Sequence, residues 1–280
     1  MNHSIPKVMT FSATDPTGGA GMQADILTLS SLGCHPVSVT TGITVQDTIG
    51  VDSMMALGAD WIVDQARSIL EDMQVSAFKC GLLGSAENMA AVAEIVSDYP
   101  EIPLIIDPVL ASGRGDDLVD AAMIQAMIEL LFPQAYLITP NSYEARRLVI
   151  HDDEEFIDLT LHECAARLRL MGCKNVLITG THEQTDSVIN TLYSASGKQL
   201  PYHWERLPGT FHGSGCTLAS SITAFLARGI KLEQAVEEGQ NFTWQTLKHS
   251  IKPGMGQFIP NRFFWMNEED EDDDDGQTHH

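Results

Sequence analysis

GTFHGSGCTLASSITAFLARG, residues 209–229, reads as a glycine loop feeding a helix. Gly213 and Gly215 bracket Ser214, so the backbone there can take φ > 0 and approach a ligand closely. From Cys216 onward the spacing is helical. Leu218, Ile222, Phe225 and Leu226 share one face, Arg228 lies in the last turn, and Gly229 offers a C′ stop. The helix N-terminus then presents free N–H groups and the positive end of its dipole, which suits a phosphate. Cys216 stands at that end, where thiolate is favoured, so its pKa is expected to fall. The same residues also permit a plainer reading, a small buried cysteine beside a turn.

Upstream, short apolar strands alternate with helical patterns. Strands are predicted over 7–11, 36–45, 76–80, 103–106, 135–138 and 175–178. Helices are predicted over 22–31, 59–73, 86–96, 120–131, 143–149 and 161–171, with a last one over 232–250. Strands that are apolar throughout, at βαβ spacing, predict an α/β fold with a mostly parallel sheet covered by helices on both faces. Residues 187–207 break the rhythm and predict antiparallel strands about a turn at Ser196-Gly197. With no repeat and no linker, one domain is expected over 1–266. Residues 267–280 are expected to be an acidic, disordered tail.

Ligands of open parallel sheets sit beyond the carboxyl ends of the strands. The predicted strand ends are followed by Asp15, Gln46-Asp47, Cys80, Asp107, Asn141 with Glu144, and Thr179 with His182. With Gly213–Cys216 on the same rim, carboxylates face an anion site, and such an arrangement calls for a bridging cation such as Mg²⁺. Donor, cation, anion cradle and base are the parts of a phosphoryl-transfer site. Asn141 and Glu144 also read as a helix N-cap with a first-turn acid. No GxGxxG, GxxxxGK[ST] or HExxH pattern occurs, which disfavours a dinucleotide fold, a P-loop kinase and a zincin.

Composition narrows the function classes. The chain has 280 residues, 44% of them hydrophobic, and a formal net charge of −22. The unbroken acid run from Glu268 to Asp275 carries eight of those charges and leaves −14 for the rest. That balance argues against a nucleic-acid partner, which needs a basic stripe. The five cysteines show no metal-binding spacing and fit a reducing, cytoplasmic setting. No signal peptide or membrane span is read.

Taken together in order, SATDPTGGAGMQAD (12–25), GITVQDT (42–48), KCGLLGS (79–85), DPVLASG (107–113), TPNSYEA (139–145) and FHGSGCTLASSI (211–222) resemble the hydroxymethylpyrimidine/phosphomethylpyrimidine kinases of thiamine biosynthesis. The resemblance covers about residues 7–250. It implies a ribokinase-like three-layer sandwich and an ATP- and Mg²⁺-dependent phosphotransferase. The pyrimidine's hydroxymethyl group would be phosphorylated first, then its monophosphate. It also implies a homodimer.

By the same resemblance Cys216 takes the base position, and the backbone of Gly213, Ser214, Gly215 and Cys216 forms the anion hole. Asp25, Gln46, Ala13, Leu82 and Val109 serve the pyrimidine. Asp107, Asn141, Thr179 and His182 serve ATP and its phosphates, and Glu144 serves Mg²⁺ through water or phosphate. Several positions depart from the family pattern, and three of them bear on the site. Ala13 replaces a glycine, Leu82 a methionine, and Thr179 a lysine, which removes a charge near the phosphates. The rival readings are a pyridoxal kinase, a non-catalytic pyrimidine sensor on the same scaffold and, without sequence support, a sugar kinase.

Overall fold

The computed structural model describes residues 5–112, 115, 117–150 and 159–266. The elements run β1 (Lys7–Ala13), α1 (Gly21–Ser31), β2 (His35–Gln46), β3 (Val51–Ala56), α2 (Ala59–Asp72), β4 (Ala77–Cys80), α3 (Ala86–Ser97), β5 (Leu104–Ile106) and α4 (Ala121–Ala126). They continue with β6 (Ala135–Ile138), α5 (Ser142–Val149), α6 (Leu161–Leu170), β7 (Val176–Ile178), β8 (Ser187–Tyr193), β9 (Gln199–Glu205), α7 (Ser214–Ala227) and α8 (Leu232–Lys248). Nine strands form one sheet in the order β3-β2-β1-β4-β5-β6-β7-β8-β9. The six from β2 to β7 are parallel, and β3, β8 and β9 pair antiparallel at the edges.

Successive side chains of a strand point to opposite faces, and here both faces are apolar. Met9, Phe11, Phe78, Ile106 and Ile138 join one core with residues of α2, α3, α5 and α6. Their neighbours Val8, Ala77, Ile105 and Leu137 join a second core with Leu29 of α1, Leu218 and Ile222 of α7 and Val236 of α8. This is the expected three-layer sandwich. Helix starts follow local chemistry. Asn141 with Glu144 and Thr160 with Glu163 form capping boxes, and Ser85 and Asp120 accept from the N3 amides of α3 and α4.

Two elements differ from expectation. β3 lies where no strand is predicted. It carries Asp52 and Ser53 and is mostly exposed at the sheet edge, so hydrophobic patterning does not reveal it. Its turn is legible in hindsight, because the Asp47 carboxylate accepts from the Ile49 and Gly50 amides. The helix expected over 120–131 is α-helical only to Ala126. It passes through one π turn, Met127–Leu131, and a 3₁₀ turn that starts ahead of Pro133. The tail beyond residue 266 lies outside the described residues, as does Gly113 of the 107–113 motif.

Candidate active site

The carboxyl ends of the parallel strands are stitched together by backbone hydrogen bonds. Ala13 N–H donates to Leu82, Gly81 to Phe11, Asp107 to Cys80, Thr139 to Ile106, and Thr179 to Pro140, all at 2.9–3.0 Å. Ser142 N–H closes back on the Thr179 carbonyl at 2.9 Å. The rim therefore carries Ala13, Leu82, Asp107, Asn141 and Thr179 side by side.

Helix α7 starts at this rim. Gly213 is its N-cap at φ +84°, with no side chain capping the first amides. A Cβ on Gly213 would overlap the carbonyl oxygen of Gly19, so glycine is demanded by close approach as well as by φ. Gly215 is exposed, and a Cβ there would lie 3.7 and 3.8 Å from the two Asp107 carboxylate oxygens. The first turn of α7 thus faces Asp107 across a gap. Its N–H groups, which no side chain caps, are the ones expected to cradle an anion.

Around that gap the charges are unmatched. Asp107 is buried, and its Oδ2 has no hydrogen-bond partner among the described residues. Burial pushes its pKa up, against the pull of Lys79. Glu144 closes the capping box, taking the Asn141 N–H at 2.8 Å and the Leu110 N–H at 3.5 Å. Burial, with Asp107 nearby, pushes it up to about 8. The helix-cap reading of Asn141 and Glu144 is therefore correct as structure. It leaves Asp107, rather than Glu144, with the uncommitted oxygen.

Cys216 corrects an expectation. Its thiol is within hydrogen-bond reach of Asp107. Burial first, and the Asp107 charge second, push it up to about 12. The helix N-terminus that should favour thiolate is outweighed by burial of the thiol, with the Asp107 carboxylate adding to it. At neutral pH Cys216 is a thiol.

Asp25 corrects another. It is expected at the pyrimidine, yet it is fully buried and accepts four hydrogen bonds. Lys79 Nζ donates at 2.9 and 3.0 Å, Ser220 Oγ at 2.7 Å and Thr10 Oγ1 at 2.5 Å. No oxygen is left for a ring edge, so Asp25 supports the site from behind. Burial alone would lower the Lys79 pKa, but the Asp25 carboxylate more than reverses this and raises it.

The remaining predicted residues stay nearer the surface. Gln46 ends β2 half-buried, its side-chain amide without a hydrogen bond among the described residues, while Leu82 and Val109 are half-buried and Ala13 is buried. Thr179 is half-buried at the end of β7. His182 is exposed in the following turn, and no hydrogen bond joins it to the other predicted residues. Arg206 holds that turn through the carbonyls of Thr181, Glu183 and Thr185.

Sequence reasoning missed three contributors. Lys79 was visible as a lone charge in the buried strand Ala77–Cys80. His212 meets Asp15 at 2.8 Å, joining the two glycine loops. Asp15 also accepts from the Thr17 amide and hydroxyl and the Ala20 amide. Burial raises Asp15, but these bonds prevail and hold it below the usual carboxylate value of 3.8. Arg262 grips Gly18, Gly19 and Thr217 and carries no local sequence signal at all.

A sequence model of phosphomethylpyrimidine kinase matches residues 15–261. The chain belongs to the phosphomethylpyrimidine kinase family. It is therefore a kinase, and its sandwich is the ribokinase-like fold. It is 33% identical to a hydroxymethylpyrimidine/phosphomethylpyrimidine kinase of Staphylococcus aureus (strain MSSA476), over 94% of this chain and 96% of the relative. It is also 33% identical to the thiamine biosynthesis bifunctional protein ThiED of Geobacter sulfurreducens. That match covers 89% of this chain and half of the longer relative. Among solved structures, the pyridoxal kinase of S. aureus in complex with AMP-PCP and pyridoxal superposes with a TM-score of 0.82. It is 25% identical, over 94% of this chain and 95% of that one. Among the described residues no helix is long and apolar enough to cross a membrane.

Proposed function

We propose that this kinase phosphorylates the hydroxymethyl group of 4-amino-5-hydroxymethyl-2-methylpyrimidine, then the resulting monophosphate, in thiamine biosynthesis. ATP is the donor. The observation that carries the residue-level reading is the first turn of α7, with its uncapped N–H groups and Cys216, facing Asp107. The acceptor ring lies against Ala13, Leu82 and Val109. The free amide of Gln46 offers both a donor and an acceptor to the aminopyrimidine edge. The N–H groups of Ser214, Gly215 and Cys216 receive the transferred phosphoryl group where its charge is spread. Asn141, Thr179 and His182 form the ATP side.

The residues present fit a hard divalent cation. The donors are carboxylate oxygens, and buried Asp107 Oδ2 lacks a partner. Among the described residues no group of three or more His, Cys, Asp or Glu forms a metal site. That suits Mg²⁺, which is usually held by one or two carboxylates together with substrate phosphates and water. Asp107, and Glu144 through water or phosphate, would hold it, and it would draw charge off the triphosphate.

The acceptor oxygen bonds to the γ-phosphorus while the bond to the leaving ADP oxygen breaks. The hydroxyl proton moves to Cys216 Sγ as the thiol passes its own proton to Asp107 Oδ1, leaving Oδ2 for the cation. A thiol raised to about 12 cannot serve as a standing thiolate, so the two transfers go together. The second phosphorylation starts from a phosphate oxygen and needs no such relay. Cys216→Ala should therefore slow the first step by about 10²–10⁴-fold and the second step much less. Product formation followed by mass spectrometry checks this, and near wild-type turnover in the first step would overturn the assignment.

A second reading is pyridoxal as acceptor, supported by the likeness to the S. aureus pyridoxal kinase. The same assay with pyridoxal in place of the pyrimidine ranks the two. The β2–β3 hairpin supports a homodimer. Ile43 and Met55 pair across it and, with Val45, stay exposed at a sheet edge. Five free cysteines support a reducing, cytoplasmic setting.

A further inference from the structure

Arg262 lies one residue past the family match, in the strap that follows α8. It is 3% exposed. Its Nη1 donates to the Gly18 carbonyl at 3.1 Å and its Nη2 to the Gly19 carbonyl at 2.6 Å. Nε and Nη2 both donate to Thr217 Oγ1, at 3.2 and 2.9 Å. Every one of these acceptors is neutral. A buried guanidinium without a carboxylate is expensive to keep charged, and burial pulls Arg262 down to about 10. Something must repay that placement.

The hydrogen-bond inventory of Thr217 shows what does. A hydroxyl has two lone pairs and one proton. Arg262 fills both lone pairs, so the proton is directed to the Gly213 carbonyl, 2.8 Å away. Gly213 is thereby held on one side by Thr217. On the other side the Gly19 carbonyl lies where a Cβ of residue 213 would be. Both grips end on the same guanidinium. Gly213 is the left-handed N-cap that sets where the first N–H groups of α7 point.

The strap bringing Arg262 here is itself tied down. Gly256 and Gln257 amides bond to Thr48 at 3.0 and 2.8 Å, beside the acceptor-side Gln46. Phe258 exchanges bonds with Thr210 and His212 at 2.9 and 2.8 Å. One segment therefore spans the acceptor-side hairpin, the 210–213 loop and the start of α7.

We infer that Arg262 is a positioning residue for phosphoryl transfer. Acting through the Gly19 carbonyl and the Thr217 hydroxyl, it fixes Gly213 and so aims the cradle amides at the transferring group. A planar five-donor fork can serve three acceptors in fixed directions, which a lysine ammonium cannot. The inference rests on the reading of α7 as the phosphoryl cradle.

The test compares wild type, Arg262→Met, Arg262→Lys, Thr217→Val and Cys216→Ala, each checked for folding by thermal melt. Turnover and KM for the pyrimidine and for ATP are measured. Arg262→Met should lower kcat about 10²-fold, the effect expected of a misplacement of about 1 Å, with the pyrimidine KM within about threefold. Arg262→Lys should recover little of this. Thr217→Val keeps the shape and removes the bridge, so it should lower kcat about tenfold. A folded Arg262→Met with kcat within about threefold of wild type, or a loss confined to KM, overturns the inference. Should Arg262→Met fail to fold, an unchanged kcat in Thr217→Val overturns it instead. Wild-type turnover in Cys216→Ala beside a slow Arg262→Met would sink the assignment of Cys216 and leave Arg262 standing.

Discussion

Two charged clusters lie beneath the start of α7, and they are built in opposite ways. Around Asp25 every charge is met: four donated hydrogen bonds, two of them from fully buried Lys79. Around Asp107 little is met. One carboxylate oxygen is unpartnered, Glu144 is pushed up to about 8, and the Cys216 thiol is pushed up to about 12. Buried charges that are satisfied hold one conformation. Buried charges left unsatisfied mark where something else is meant to bind. Under the proposed function the difference separates scaffold from site, which burial alone does not, since both carboxylates are buried.

The sharpest way to break this contrast is to remove Lys79. Lys79→Met leaves Asp25 as an uncompensated buried charge and should cost about 3–5 kcal/mol of stability, read from urea unfolding. Replacing Asp25 as well by an apolar residue should restore part of the loss. A stable Lys79→Met protein would show that the Asp25 cluster is not the closed pair described. Lys79 also draws down the pKa of Asp107 and Cys216, so a change in turnover is expected alongside.

Asp107→Asn probes the other cluster. Turnover should fall by about 10²-fold or more, because proton acceptance and cation binding are both lost. Thermal stability should hold or rise, since a strained buried carboxylate is removed. A fall in stability like that of Lys79→Met would place Asp107 with the scaffold.

A smaller effect tests Asp15, a carboxylate of the closed kind at the rim itself. Its folded pKa is depressed below 3.8, so its contribution is fully present above that value and is lost as pH falls through the lower one. The stability gap between wild type and Asp15→Asn, from unfolding curves, should therefore shrink below about pH 4. A gap that widens on acidification would contradict the network that Thr17, Ala20 and His212 form on it.

Much of this was legible in order along the chain. Apolar strands at βαβ spacing disclosed the sheet, and glycines before a helical run disclosed the start of α7. The edge strand β3 was not legible, because an exposed edge need not carry an apolar pattern. Nor was the division of labour between Asp25 and Asp107, since both are single acids next to apolar runs. Their difference lies in what crosses to meet them: Lys79 and Ser220 come to Asp25 from 54 and 195 residues away.

The sequence by itself determined the fold class, the start of α7 behind its glycine loop and several of the residues that line the rim. Those follow from local periodicity, turn chemistry and the rule that parallel strands end together. Only the tertiary structure decided the protonation of Cys216, the closure of Asp25 and the grip of Arg262. Electrostatic state depends on burial and on charges brought close by folding. A helix N-terminus read in isolation predicts a thiolate, whereas burial of Cys216, with Asp107 beside it, favours the thiol.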